Sequence, residues 1–299
     1  MMNLGANLFE FKVGYRKLFG ESVVPYDVSF MNIAAVSLLK ISRGDAPYHT
    51  VQHTLQAMRV GHLILEGKQS YEGSVSPFVW LQVMVSLLCH DIGYVKGVLK
   101  QDDRDRHIYF DGKYGSIKLS PTATGAALED THVDRSKAYV AELKGYPLNL
   151  PAIQWNIEMT RFPVPHQAAY ANTLSTAGLC RAADLIGQLS APDYRDTLPA
   201  LFQEFQATGM SQDLGFRSVE HFQAEYPNFY WNVVYPYIQP SFRYLMVTEA
   251  GRKQIAQVYT NLCMARHDQP LSDRTAPELQ NLETVTDLLP WQEAGFMFT

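Results

Sequence analysis

The stretch that decides the fold is "PFVWLQVMVSLLCHDIGY", residues Pro77 to Tyr94. From Pro77 to Leu88 it is apolar on nearly every side, which predicts a helix buried in a protein core. The run then ends on two ionisable residues, His90 and Asp91. Because an unpaired buried charge costs several kcal/mol, this carboxylate needs a cation, a hydrogen-bond network or a metal ion beside it.

Two other predicted helices carry ionisable residues where packing favours aliphatic ones. In "DAPYHTVQHTLQA", Asp45 to Ala57, His49 and His53 lie four residues apart, a spacing that places both imidazoles on one face of a helix. In "CRAADLIGQL", Asp184 stands in the middle of a helix of small and apolar residues, where aspartate is locally unfavourable. Three helices that break the packing rule in the same way predict a shared site.

The rest of the chain is mostly helical by the same criteria, and alternating β patterns are scarce. We predict further helices over 27–41, 121–143, 151–160, 172–189 and 246–267, and an exposed loop over 101–120. We assign the whole chain, 1–299, to one all-α domain. Its core motifs lie in 45–190, its C-terminal helices over 199–267 close the pocket, and 268–299 is a polar tail.

Composition and charge exclude several function classes. The chain has 299 residues, 46% hydrophobic residues and a formal net charge of −5, which is ordinary for a globular protein and disfavours a nucleic-acid partner. No apolar run reaches the roughly 18 residues of a membrane span, and the N-terminus lacks a signal-peptide pattern. Cys89, Cys180 and Cys263 are far apart in apolar surroundings, so we predict buried free thiols and a cytoplasmic location. A homo-oligomer is compatible with this composition.

The ordered set of a histidine, a His-Asp pair and a distant aspartate resembles the HD superfamily of metal-dependent phosphohydrolases. Within that superfamily, "YHTVQH" is most similar to the "YHNxxH" motif of the cyclic-nucleotide phosphodiesterases. The resemblance implies that His49 is the proton donor. It implies an HD-type, phosphodiesterase-like helical bundle that holds one or two divalent ions (Zn, Mn, Mg or Fe), and the implied ligands are His53, His90, Asp91 and Asp184.

Two shorter matches extend the resemblance. In "LEDTHVDRSKAYVAEL", Glu129 is similar to a catalytic carboxylate that supports the ligands, and His132 to a residue near the second ion. The alternative is a surface helix with both side chains in solvent. In "YIQPSFRYL", Gln239 and Phe242 resemble the glutamine and phenylalanine that hold the nucleotide base, and Tyr48 is assigned to the same substrate side. The alternative is a helix-terminal glutamine and a core phenylalanine.

The sequence departs from the family signatures at Tyr94, where phosphodiesterases have histidine and HD-GYP enzymes have lysine. The second-metal shell is therefore weakened. The resemblance still predicts hydrolysis of a small-molecule nucleotide, a cyclic-nucleotide phosphodiester, by a metal-bound hydroxide with His49 as general acid. Three alternatives stay open. A nucleotide phosphomonoesterase would need a basic cluster near the pocket, a di-iron oxygenase would need a fuller histidine set, and a degenerate HD fold would bind without catalysis.

Overall fold

A computed structural model describes residues 4–20 and 26–267 of the chain. In these ranges the chain is mostly helical, which confirms the predicted all-α class. The α-helices in chain order are α1 (Leu4–Phe19), α2 (Tyr26–Ile41), α3 (Val51–Glu72), α4 (Pro77–Cys89), α5 (His132–Ala141), α6 (Leu150–Glu158), α7 (Thr176–Leu189), α8 (Tyr194–Thr208), α9 (Met210–Asp213), α10 (Val219–Phe229), α11 (Tyr235–Ile238), α12 (Phe242–Leu245) and α13 (Glu249–His267). None of these helices is both long and apolar enough to cross a membrane. The polar tail predicted over 268–299 lies outside the described residues.

Local capping signals set the ends of the helices that carry the site. Helix α4 begins at Pro77, where the Ser76 hydroxyl accepts a hydrogen bond from the Val79 N–H at 3.2 Å. Helix α7 begins after Ser175, whose hydroxyl accepts from the Gly178 N–H at 3.0 Å. Such serine caps satisfy N–H groups that have no partner within the helix. Five predicted helices agree with observed helices, with bounds that differ by at most about one turn: 27–41, 77–88, 151–160, 172–189 and 246–267.

The single helix predicted over 121–143 is wrong in its first half. Residues Gly125–Thr131 form a 3₁₀-helix, and the α-helix α5 begins only at His132. The Gly125 N–H donates to Asp45 at 2.8 Å, and a Cβ atom at Gly125 would lie 2.3 Å from the Tyr94 carbonyl oxygen. Tertiary contact with the segment after the His-Asp pair therefore shapes this turn, against local helix propensity.

The exposed loop predicted over 101–120 is also corrected. It contains two short antiparallel strands, β1 (Ile108–Phe110) and β2 (Ser116–Lys118), in which Tyr109 pairs with Ile117. Tyr109 is buried, and the side chain of Asp102 is wholly inaccessible to solvent. One charged residue of this segment, Asp102, forms a buried ion pair with Arg135. The periodicity of the sequence does not reveal this pair.

Helices α3, α4 and α7 pack against one another in the core and carry the ionisable residues. Helices α3 and α7 approach each other closely where Gly187 has no side chain. A Cβ atom at Gly187 would lie 2.9 Å from the backbone nitrogen and Cα of Ala57. The absence of that atom brings the two helices together one turn from Asp184.

The prediction of three buried thiols is wrong at one position. Cys89 and Cys180 are free and buried, but Cys263 is exposed. The reason is the orientation of α13, which buries Val258 and Leu262 and so turns Cys263 toward solvent.

A buried arginine fixes the chain that follows the His-Asp pair. The guanidinium of Arg135, on α5, forms two hydrogen bonds to the carboxylate of Asp102, at 2.9 and 3.0 Å. It also donates to the backbone carbonyls of Gly93 at 2.7 Å, Val95 at 3.1 Å and Phe110. Both side chains of the ion pair are fully buried. Arg135 therefore holds the turn after Asp91 and the β-hairpin in one arrangement.

We expect Arg135→Met to lower the free energy of unfolding by about 3–5 kcal/mol, because it leaves the Asp102 carboxylate buried without its cation. Urea denaturation followed by circular dichroism measures this change.

A matched control is Arg181→Met. Arg181 is equally inaccessible, but it donates one hydrogen bond, to the Tyr170 carbonyl at 3.1 Å, and its guanidinium lies 4.3 Å from the ring centre of Tyr237. Its Nε and Nη2 have no hydrogen-bond partner among the described residues, and burial lowers its pKa. Removing this charge should leave stability unchanged or raise it. Equal losses in both variants would contradict the role given to the Arg135–Asp102 pair.

Candidate metal centre and acid group

Three helices bring four donor side chains to one point. His53 lies in the first turn of α3, His90 and Asp91 follow the last residue of α4, and Asp184 lies within α7. The His53 Nε2 is 3.1 Å from Asp91 Oδ2 and 3.3 Å from Asp184 Oδ1, and the His90 Nε2 is 3.0 and 3.3 Å from the same two oxygens. Ligand atoms around one ion with bonds of about 2.1 Å lie about 3.0–3.4 Å apart, so this spacing suits a shared metal ion.

The orientation of His90 gives an independent test of that fit. Its Nδ1 lies 2.7 Å from the Leu87 carbonyl oxygen, so Nδ1–H donates there and Nε2 points at the carboxylates. Both His90 Nε2 and Asp91 Oδ2 are buried without a hydrogen-bond partner in the described structure. Two carboxylates around His90 Nε2 attract a cation, which is a proton on Nε2 in the metal-free site and which a metal ion can replace, so the residues present fit a metal ion.

The electrostatics of the cluster also favour positive charge. Burial by itself lowers the pKa of His90, but attraction from Asp91 and Asp184 raises it well above its ordinary value. Burial by itself raises the pKa of Asp184, but His90 and His53 lower that pKa to about 2. Both carboxylates therefore stay ionised at neutral pH. Two imidazoles and two carboxylates form a mixed shell that suits Zn, Mn or Fe.

His49 lies beside this cluster but is not on the same helix face as His53. Helix α3 begins at Val51, so His49 belongs to the bend before it, and the prediction of two imidazoles one turn apart on a helix is wrong. Its Nε2 is 3.9 Å from Asp91 Oδ2, and its Nδ1 is 2.6 Å from Glu204 Oε2 on α8. The other oxygen of Glu204 accepts from the Tyr48 and His49 N–H groups at 2.6 and 3.3 Å.

Glu204 also sets the charge of His49. Burial by itself lowers the pKa of His49, but Glu204 and Asp91 together raise it to about 9. His49 is thus protonated at neutral pH, with Nδ1–H held by Glu204 and Nε2–H facing the donor cluster. This is the arrangement of a general acid whose ring is oriented by a buried carboxylate.

Tyr94 occupies the position where the family signatures differ, and it lies between two imidazoles. Its ring stacks on His49 with centroids 4.1 Å apart and on His132 with centroids 4.3 Å apart. Its hydroxyl donates to Glu129, and burial together with Glu129 raises the pKa of Tyr94 well above its ordinary value. The His132 Nε2 lies 3.9 Å from Asp91 Oδ1. The Tyr94 phenol therefore stays neutral. Its two ring contacts and its hydrogen bond hold the His49 ring, the His132 ring and the Glu129 carboxylate in place.

An apolar cavity opens from the donor cluster. One end is lined by His49, His53, Asp91, Tyr94, Glu129, His132 and Asp184, and Thr160 and Gln188 are its other polar residues. The remaining wall is apolar and consists of Phe162, Leu185, Leu189, Leu201, Phe205, Met210, Phe222, Phe229 and Val234. No lysine or arginine is among these lining residues.

Comparison with known proteins assigns a family. A family model described as Npun_R2479-like matches residues 3–268. The chain belongs to the Npun_R2479-like family. No functionally curated protein matches it significantly. The four residues of the donor cluster lie within the matched residues 3–268. The description of the family states no activity. The chemistry of the site is therefore argued from its geometry.

The site of this Npun_R2479-like chain unites most of the predicted residues but not those assigned to the nucleotide base. Gln239 is exposed in a short 3₁₀-helix, Phe242 is buried at the start of α12, and neither lines the cavity. Tyr48 is buried with its ring 5.0 Å from that of His53, so it packs behind the donor cluster. The positions of Gln239 and Phe242 therefore agree with the alternative of a helix-terminal glutamine and a core phenylalanine.

Sequence reasoning missed Glu204, which holds His49. Its signal lies in "TLPALFQEFQ", where Leu198, Leu201 and Phe202 form the buried face of α8. Glu204 falls three residues after Leu201 on that face and is itself buried. A carboxylate on the apolar face of an amphipathic helix is the same violation that identified Asp184.

Proposed function

We propose that this chain is a metal-dependent phosphohydrolase of the HD type that cleaves phosphodiesters. The observation that carries the proposal is the convergence of His53, His90, Asp91 and Asp184 at a cavity whose lining also holds His49, whose Nδ1 is bound by Glu204. A bound divalent cation would supply Lewis acidity and lower the pKa of a water molecule. His53, His90, Asp91 and Asp184 would hold that ion.

The protein residues account for the remaining chemistry. Departure of an alkoxide from phosphorus requires a proton, and His49 can deliver one from Nε2, which lies 3.9 Å from the Asp91 oxygen of the donor cluster. Glu204 keeps the ring oriented and stabilises its charged form. The stacked Tyr94 excludes water from one face of the imidazole. Each of these groups is positioned before substrate binds, as preorganised catalysis requires.

The cavity favours a diester over a monoester. A phosphomonoester carries close to two negative charges at neutral pH, and a site for it needs cationic side chains beyond the metal. Apart from its histidines the cavity lining contains no cationic side chain, since lysine and arginine are absent from it, and it already holds the carboxylates of Asp91, Glu129 and Asp184. A phosphodiester carries one negative charge. Among diesters, the "YHTVQH" resemblance indicates a cyclic nucleotide as one candidate, which the substrate panel tests against acyclic diesters.

The decisive experiment combines metal analysis with a substrate panel. Metal content of the purified protein is measured by mass spectrometry, and hydrolysis of cyclic AMP, cyclic GMP, bis(4-nitrophenyl) phosphate and 4-nitrophenyl phosphate is followed with added Mn²⁺ or Mg²⁺. We expect bound metal, turnover of diesters, and much slower turnover of the monoester. Metal without any phosphoester turnover would overturn the proposal. Two irons with an oxygen-dependent spectrum would instead identify an oxygenase, and absence of metal would identify a binding module.

A further inference from the structure

The cavity lining has a polar part and an apolar part, and only the polar part takes part in the proposed reaction. All of its ionisable side chains gather at the donor cluster. The apolar wall is formed by Phe162 and by residues of α7, α8, α9, α10 and the π-helix Tyr230–Val234, and its side chains are aliphatic, aromatic or thioether. Several of these side chains, among them Phe162, Phe205 and Phe229, are only half-buried. They retain apolar surface that a bound group could cover.

The polar groups of this wall are few and uncharged. Gln188 lies on α7 one turn beyond Asp184, and its amide forms no hydrogen bond to other described residues. The Thr160 hydroxyl is already used, because it donates to the Ile157 carbonyl at 2.8 Å. A charged group placed against this wall would lose its hydration without gaining an ionic partner. The wall therefore selects by burial of apolar surface.

Resting on the proposed function, we infer that the substrate is a phosphodiester with one uncharged, mainly apolar ester group, and that this group contacts the apolar part of the cavity lining. The phosphoryl group lies at the donor cluster, and the alkyl or aryl group contacts Phe162, Phe229 and Leu185. Phe162 and Phe229 are suited to this contact, because both line the cavity and their rings meet edge to face at 5.8 Å between centroids.

A binding series tests this inference separately from catalysis. O-alkyl methylphosphonates carry one negative charge and resist hydrolysis, and their alkyl group can be lengthened from methyl to hexyl. Calorimetry with the metal-loaded full chain should show a Kd that falls about three- to fourfold for each added methylene, the value expected for burial of one such group. The corresponding 4-nitrophenyl alkyl phosphodiesters, which share one leaving group, should show a parallel rise in kcat/KM.

Two variants locate the effect. Phe229→Asn should reduce the gain per methylene by at least half while metal content stays the same. Phe78→Asn is the control, because Phe78 is a partly exposed phenylalanine on α4 that does not line the cavity. It should keep the full gain per methylene.

The outcomes separate the inference from the proposed function. A Kd independent of chain length overturns the inference, even if diesters are hydrolysed. A Kd that falls with chain length while no diester is hydrolysed supports the apolar subsite and overturns the phosphodiesterase proposal. An equal loss of the gain in Phe229→Asn and Phe78→Asn would contradict the location.

Discussion

Asp184→Asn is expected to remove nearly all bound metal from the purified protein. The Asp184 carboxylate lies 3.3 Å from both His53 Nε2 and His90 Nε2, so it joins the two imidazoles at the centre of the donor set. Asparagine keeps the size of the side chain but removes its charge. Because loss of an outer partner of a metal ligand already costs about 10- to 100-fold in affinity, loss of a direct ligand should cost more than about 100-fold. Metal content and Zn²⁺ or Mn²⁺ titration measure the change.

The matched control for that experiment is a carboxylate outside the donor cluster. Glu158 on α6 is ionised and paired with Lys137 and Arg161, and it does not line the cavity. Glu158→Gln should retain full metal content. Retention of metal by Asp184→Asn would show that Asp184 is not a ligand, and it would remove the main support for the metal centre.

His49→Ala is expected to lower kcat by about 10²- to 10⁴-fold and to leave metal content unchanged, because a positioned general acid contributes a factor of that size. His49 Nε2 points at Asp91 but is 3.9 Å away, farther than the His53 and His90 nitrogens. The division of roles is therefore testable by one pair of measurements, kcat and metal content. Equal metal loss in His49→Ala and Asp184→Asn would contradict it.

The companion variant Glu204→Gln adds a pH readout that a purely structural role would not move. A general acid must be protonated, so activity falls as pH rises through the pKa of His49, which is about 9 in the intact site. A cation bound at Asp91 lowers this pKa, so the alkaline limb should lie at or below about 9. Glutamine keeps a hydrogen bond but removes the charge of Glu204. We expect the alkaline limb of the pH–activity profile to move to lower pH. The variant leaves Asp91 and Asp184, the carboxylates of the proposed metal centre, unchanged.

The donor cluster was predictable because its residues break a local rule. His90, Asp91 and Asp184 are polar residues in segments that packing would fill with aliphatic ones, and such violations are visible in one sequence. The buried helices around them were predictable for the complementary reason. Their apolar periodicity is strong and their ends carry serine caps, at Ser76 and Ser175.

The parts that sequence did not reveal depend on contacts between distant segments. His49 was placed on a helix because its spacing to His53 fits one, but the hydrogen bonds of its backbone and ring to Glu204 hold it in the preceding bend. The turn at Gly125 follows the shape of the chain at Tyr94. The ion pair between Asp102 and Arg135 joins two charged segments that look exposed when each is read alone. In each case the partner lies more than 30 residues away in the sequence, beyond the range of local patterns.

The close contact at Gly187 bears on which ion the proposed metal centre would select. Donor atoms on α3 and α7 are separated by a distance that the backbones fix, since Gly187 rests on Ala57 and neither helix can move closer. In the proposed metal centre, the space between His53 and Asp184 would thus depend on two residues that do not contact the ion. We expect substitution at position 57 or 187 to change the preference of that centre among first-row metals while every proposed ligand stays the same.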